Sequence, residues 1–214
     1  MTSMTTRRLL AALVIALLPA SASAQRVHRS ADEWLRVLET PQRLSRLKPL
    51  EVVAALKLKP GQTVADIGAG TGVLTVPMAR AVGTSGSVYA VDLDKETVDY
   101  VEERCTEQGI VNVKAVVGTA DDPGMPVNVD LALLNESLRY IEKRAEYLKL
   151  LGEYLNPGGR IAISEFLPEA YPDRPDPTLT VTEAQATEWM AAAGLKPIEK
   201  ITTFADRWFV IYGK

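Results

Sequence analysis

A short apolar run, Val64-Ala65-Asp66-Ile67, leads directly into Gly68-Ala69-Gly70-Thr71-Gly72, and the helix-like segment Val73 to Val82 follows at once. This order of strand, glycine loop and helix constrains the fold more than any other feature of the chain. Glycines at a strand end let the backbone turn sharply and approach a ligand closely. The helix that follows presents unpaired N–H groups to the same space. In an open parallel sheet, such a loop lies beyond the carboxyl ends of the strands, where ligands bind.

The rest of the chain repeats the alternation. Val88–Val91, Val113–Val117, Val129–Leu134 and Ile161–Ser164 read as strands, and Lys95–Gln108 as a helix closed by Gly109. Ile141–Leu155 reads as a helix ended by Asn156-Pro157-Gly158-Gly159, and Thr182–Ala193 as one stopped by Gly194. The central strands are continuous apolar runs, as strands covered on both faces must be. The pattern predicts an α/β fold, a mostly parallel sheet with helices on both faces. The last two strands, Pro197–Thr203 and Trp208–Tyr212, are too close for a helical crossover and predict an antiparallel hairpin at one edge. Upstream, Trp34, Leu35, Leu38, Leu44, Leu47 and Leu50 recur at helical spacing around Pro41, and a second helix is expected from Pro49 to Leu58. Residues 25–58 therefore read as an N-terminal helical cap on a domain spanning 59–214.

Met1 to Arg8 is basic, Leu9 to Ala20 is apolar, and Ala22-Ser23-Ala24 supplies a small-residue cleavage site. Residues 1–24 thus read as a secretory signal peptide, implying export to a periplasm or beyond. The apolar run is shorter than the ~20 residues a bilayer span requires, so no stable membrane span is expected after cleavage. Cys105 and His28 are the only residues of their types. That excludes an internal disulfide and argues against a His/Cys zinc site, a Ser-His-Asp triad and a Cys-His dyad. No metal is expected. The net charge of −3 argues against nucleic acid as the main partner. Oligomeric state is not legible.

The loop itself discriminates between ligands. Its spacing from Gly68 is G-x-G-x-G, with Val73 where the dinucleotide fingerprint G-x-G-x-x-G has its third glycine. Asp66 precedes the glycines; a carboxylate there repels a pyrophosphate and attracts an α-amino group. Asp92, at the end of the second strand, is placed to accept hydrogen bonds from a ribose diol, with Leu93 beside it. Asp94 is a candidate cap for the next helix. After the third strand, Ala120 and Asp121 lie where an adenine edge is held, although adjacent acids in a turn are often only solvated.

Val64 to Gly72 resembles the first motif of class I S-adenosylmethionine-dependent methyltransferases. Val88-Tyr89-Ala90-Val91-Asp92 resembles their second-strand motif, and Leu155-Asn156-Pro157-Gly158-Gly159-Arg160 the turn before their fifth strand. The segment from Trp34 to Val53 is similar to a small bacterial subgroup that often carries leaders. The resemblance implies a Rossmann-like three-layer α/β/α sandwich with a seven-stranded sheet, and S-adenosylmethionine as cofactor. It puts Asp66 and Gly68 at the methionine moiety, Ala69, Gly70 and Gly72 in the turn, Asp92 at the ribose, and Ala120 with Asp121 at the adenine. In the subgroup a histidine pair commonly follows the fourth strand, whereas here the stretch is Asn135-Glu136-Ser137-Leu138-Arg139-Tyr140.

Methyl transfer from a sulfonium needs positioning more than acid–base chemistry, and a base only if the acceptor loses a proton. Asn135, Glu136, Tyr140 and Glu165 are the polar residues expected near the methyl group. Asn135 is assigned to the cofactor, Glu136 and Tyr140 to catalysis, with Glu136 the preferred base. The stripe of Trp34 and Leu38 reads as packing, with a lid as the alternative. Arg36, Arg43, Arg46 and Lys48 read as a solvated face, with an acidic acceptor as the alternative. The expected activity is methyl transfer to a small molecule; a non-catalytic S-adenosylmethionine-binding protein and an NAD-dependent oxidoreductase are the rivals.

Overall fold

The computed structural model describes residues 30–170 and 179–214. The expected leader and His28 lie outside the described residues. The chain first forms three short helices. In α1 (Ala31–Leu38) the Ser30 side chain accepts from the Glu33 N–H while the Glu33 carboxylate accepts from the Ser30 N–H, a closed capping box. α2 (Pro41–Leu47) starts on a Thr40 cap with proline in its first turn, and Pro49 opens α3 (Pro49–Ala55). Between them Lys48 takes a left-handed conformation with φ 53°. The expected helical run is therefore cut into three pieces. The physical reason is that each proline lacks an N–H and disfavours helical geometry in the residue before it.

The alternating part follows as β1 (Thr63–Ile67), α4 (Thr75–Val82), β2 (Ser87–Asp92), α5 (Lys95–Glu107), β3 (Val113–Val117), β4 (Val129–Asn135) and α6 (Arg144–Glu153). It continues through β5 (Leu155–Phe166), α7 (Glu183–Ala192), β6 (Lys196–Lys200) and β7 (Arg207–Gly213). The seven strands lie in the order β3-β2-β1-β4-β5-β7-β6. The first five are parallel, and β7 runs antiparallel to both β5 and β6. The expected three-layer fold and edge hairpin are both present. Strand order reverses between β1 and β4, the crevice where such sheets bind ligands.

Side chains along the central strands alternate between two cores, as the two-residue period of a strand requires, except where β4 is irregular between Val129 and Leu131. Ala65, Ile67, Ala132, Leu134, Ile161 and Ile163 face α6 and α7, packing with Leu148, Leu151, Ala186 and Met190. Val64, Leu131, Leu133, Ala162, Phe209 and Ile211 face the other way, against Val52 and Val53 of α3 and Met78 and Ala79 of α4.

Several boundaries differ from the sequence reading, two of them near the site. The helix expected from Ile141 begins only at Arg144, after a 3-10 turn at Leu138–Tyr140. Asn156-Pro157-Gly158-Gly159 does not end that helix but bulges out of β5. Leu155 pairs with Val129, and pairing resumes at Arg160 with Leu131. A proline without an N–H and a glycine at φ 78° suit an unpaired excursion. A Cβ on Gly159 would lie 2.9 Å from the Asn156 carbonyl oxygen.

Candidate active site

The glycine loop is held from both sides of the crevice. The Gly68 and Ala69 N–H groups donate to the Val91 carbonyl at 2.8 and 3.0 Å, which ties the loop to the end of β2. Gly68 has φ 75°, and a Cβ there would fall 2.6 Å from Ser137 Cβ. Ser137, after β4, donates its hydroxyl to the Ile67 carbonyl at 2.7 Å. Glycine at this position is thus required twice, by backbone conformation and by close approach. Gly70 has φ 53°, and its α-carbon faces Leu38, whose methyl would sit 2.9 Å from an added Cβ. Helix α1 therefore packs on the loop. Arg104 of α5 donates to the Thr71 carbonyl at 2.8 Å and pairs with Glu39, joining loop, helix and cap.

Asp66 and Asp92 take different environments. Asp66 is buried and accepts from the Thr75 hydroxyl at 2.7 Å. Burial raises its pKa to about 6; the Thr75 hydrogen bond opposes this and the Asp92 charge adds to it. Asp92 is half-buried. One oxygen accepts from the Gly70 N–H at 2.9 Å and the other from the Asp94 N–H at 3.2 Å. Each oxygen keeps acceptor capacity, so the loop aims a fixed pair of acceptors, the geometry a vicinal diol requires. Asp94 caps α5 by accepting from the Glu96 N–H at 2.9 Å. Leu93 is exposed at the rim of the crevice.

After β3, Gly118 donates to the Asp92 carbonyl at 2.9 Å, bringing this loop alongside. Asp122 serves the loop itself, accepting from the Gly124 N–H and the Tyr154 hydroxyl at 2.7 and 2.9 Å. Ala120 and Asp121 are exposed at the rim, with Asp121 paired to Lys143 at 3.1 Å.

At the ends of β4 and β5 the chemistry is carried by side chains. Asn135 sits opposite Ser164 in register, and its Oδ1 is buried without a hydrogen-bond partner among the described residues. Thr71 Oγ1, in the glycine loop, is in the same state. Such buried acceptors are costly unless a donor reaches them. Glu136 is buried with φ 57°, strained for a residue bearing a Cβ. Its N–H donates to the Ser164 carbonyl at 2.8 Å, and its carboxylate accepts from Arg43 of α2 at 3.0 Å. Glu165 is fully buried and ion-paired with Arg139, whose N–H also donates to it. Burial lifts the Glu165 pKa to about 7; Arg139 opposes the rise and Glu136 reinforces it. Tyr140 is 54% exposed at the end of its 3-10 turn.

The structure thus brings Asp66, Gly68, Ala69, Gly70, Gly72 and Asp92 together, with Asn135 and Glu136 across the crevice. Leu93, Ala120, Asp121 and Tyr140 are exposed. Ser137, Arg104 and Arg139 were not singled out from sequence. Nothing local marks them, because each acts on a partner brought in by tertiary folding.

Residues 58–203 match a family model described as a methyltransferase domain. The chain is 31% identical over 105 residues to aklanonic acid methyltransferase from Streptomyces, covering 49% of this chain and 48% of that one. It is 30% identical over 125 residues to the ubiquinone/menaquinone biosynthesis C-methyltransferase of Hydrogenovibrio crunogenus, covering 58% and 49%. The chain thus spans about half the length of the curated relatives it matches. A SAM-dependent methyltransferase from Aquifex aeolicus has the same fold, with TM-score 0.76, 23% identity, and 86% and 98% of the two chains covered. Magnesium protoporphyrin IX methyltransferase from Synechocystis, crystallised with bound SAM, superposes with TM-score 0.66 at 19% identity, covering 86% and 90%.

Proposed function

We propose, on the premise that this chain belongs to the methyltransferase-domain family, that it transfers a methyl group from S-adenosylmethionine to a small-molecule acceptor. The observation that carries the proposal is the paired-acceptor arrangement of Asp92. It is held by the Gly70 amide at the point where strand order reverses and fits a ribose diol. The buried Oδ1 of Asn135 and Oγ1 of Thr71 fit donor groups of the same cofactor.

S-adenosylmethionine supplies an activated methyl carbon that needs no further activation by protein. In this chain, Asp66, Gly68, Ala69, Gly70 and Gly72 would hold the methionine end. Asp92 and Leu93 would hold the ribose, and Ala120 and Asp121 would border the base. Asn135 would face the cofactor from β4. Asp66 is protonated below about pH 6, so an incoming ammonium meets a carboxylate only above that value. Glu136, buried just after β4 beside the crevice, would accept a proton from an acceptor hydroxyl or amine. Tyr140 has a secondary part at most, given its exposure.

The test is release of S-adenosylhomocysteine from S-adenosylmethionine by the purified chain, with cell extract as acceptor. Turnover that is abolished in Asp92→Ala supports the proposal. Cofactor binding without any turnover would support a non-catalytic binding protein instead. We also propose, from the leader pattern of residues 1–24, that the mature protein acts outside the cytoplasm. N-terminal sequencing of the native protein tests this: a start near Gln25 supports it and an intact Met1 region contradicts it.

A further inference from the structure

The three cap helices are fastened to the domain in different ways. In α3, Val52 and Val53 are buried and pack with Met78 and Ala79 of α4. α2 buries Leu47, and Arg207 donates to the Leu47 and Arg46 carbonyls at its end. α1 buries none of its described side chains, and Val37 is 45% exposed. Burial of apolar surface therefore does little to hold α1 down. Its shape comes from within, through the Ser30–Glu33 capping box. Its C-terminal end is attached to the glycine loop: Leu38 meets Gly70, and Glu39 pairs with Arg104. Glu39 is the C-cap of α1, where the helix dipole disfavours a carboxylate. Its placement thus serves the pairing and not the helix. Arg104 is held on the other side, in α5, where the preceding turn carries the buried Val101, 3.3 Å from where a Cβ on Gly72 would lie. One nitrogen of Arg104, Nη1, donates both to the Thr71 carbonyl at 2.8 Å and to Glu39. The two side chains are only 20% and 21% exposed.

We infer, on the methyltransferase reading that makes this loop the cofactor cradle, that Arg104 and Glu39 are positioning residues for the cofactor: their ion pair latches α1 onto the loop, and the latch sets how slowly the cofactor leaves. Each acts through another group. Arg104 fixes the Thr71 carbonyl, and Glu39 draws α1 down so that Leu38 rests on Gly70. Gly70 is the residue whose amide holds Asp92, so the latch reaches the paired acceptors through a single residue. Without the charge-assisted contact, this end of α1 keeps Leu38, one half-buried apolar side chain. The helix can then swing at Glu39 and Thr40, where the chain leaves α1 and Thr40 turns extended to cap α2. α2 itself stays in place, because Leu47 and Arg207 secure it. An open α1 uncovers Gly70 and frees the turn at Thr71, so the cradle is less ordered and lets its ligand go. Closure of a flap over a site commits the ligand in this way.

The test uses the full chain and S-adenosylhomocysteine, with association and dissociation followed separately by stopped-flow fluorescence. In Glu39→Gln, dissociation should be at least about tenfold faster, the scale of one lost hydrogen bond to a charged group. Association should be as fast as in the wild type or faster, because an unlatched flap does not obstruct entry. Hydrogen exchange should rise in residues 31–39 of this variant and stay unchanged in α5. Arg104→Gln should release the ligand at least as fast as Glu39→Gln, since it also frees the Thr71 carbonyl. The double variant should be no faster than Arg104→Gln alone, because the pair acts as one unit. Circular dichroism melting checks that each variant is folded, and if Arg104→Gln is not, the rates and exchange of Glu39→Gln decide alone. Release at the wild-type rate in Glu39→Gln, or additive effects of the two substitutions, would overturn the inference. Slower association or added exchange in α5 would overturn it too, since either marks damage to the domain and not loss of a latch. Failure of the wild type to bind S-adenosylhomocysteine would instead overturn the methyltransferase reading, so the two failures are distinguishable.

Discussion

The two halves of the crevice are built by different means. On the β1–β2 side the backbone does most of the work. Glycines at positive φ, amides of Gly68 and Ala69 on the Val91 carbonyl, and the Gly70 amide on Asp92 set the geometry within a span of about one strand–helix–strand unit. On the β4–β5 side the work falls to long charged side chains that meet across the fold. Arg43 and Glu136 are 93 positions apart, and Arg207 reaches the Arg46 carbonyl across 161. A backbone cradle suits a ligand that never varies. A side-chain pocket is easily re-specified by substitution, as an acceptor site must be when one fold serves many acceptors.

The largest expected effect tests whether the side-chain half also supports the fold. Arg139→Met leaves Glu165 buried without its cation, which costs about 3–5 kcal/mol and is measurable by urea denaturation. Arg139→Met combined with Glu165→Met should recover most of that loss, because it removes both charges. The same pair gives stability a pH dependence with a defined sign. Glu165 titrates at about 7 in the folded protein against 4.5 for an ordinary glutamate. The native state therefore holds this proton more tightly than the unfolded chain. The stabilisation is fully present below about pH 4.5 and is lost as pH rises through 7. A Glu165→Gln variant should show a flatter stability profile across that window.

Next in size is Gly68→Ala. A non-glycine residue at this φ costs about 1–3 kcal/mol, and the contact with Ser137 adds to it. S-adenosylmethionine affinity should fall roughly thirtyfold or more by calorimetry. Ser137→Gly should restore only the part due to the contact. A smaller effect comes from pH. If the carboxylate of Asp66 receives the cofactor ammonium, affinity is flat above about pH 6 and weakens by up to tenfold per unit below it. Asp66→Asn should remove that slope. The smallest effect is expected at the rim. Asp121→Asn breaks only an exposed pair with Lys143, and cofactor affinity should fall by about fivefold or less, since such pairs contribute at most about 1 kcal/mol. A large loss there would move Asp121 from the rim into the cradle.

The same contrast explains what could be read from the residues. β3 spans Val113–Val117 as the apolar run indicated, and the glycine loop, Asp92 and the Asp94 cap lie where local spacing put them. These features depend on periodicity and on the conformational freedom of glycine, which are properties of short segments. The bulge at Asn156–Gly159 is indistinguishable from a helix end in sequence, because the same turn residues serve both purposes. Glu136 at φ 57° and the burial of Arg139 have no local signature. Their positions are set by packing between β4, β5 and the cap. Arg43 and Arg46 have the local pattern of a solvated helix face, and the contacts that half-bury them, Glu136 for Arg43 and Phe166 for Arg46, come from distant parts of the chain.

Calorimetric titration of the full chain with S-adenosylmethionine and, separately, with NAD is the most direct test of the cofactor cradle. The expected result is one S-adenosylmethionine site per chain, weakened at least tenfold in Asp92→Ala, and no NAD binding. Saturable NAD binding with no heat from S-adenosylmethionine would contradict it.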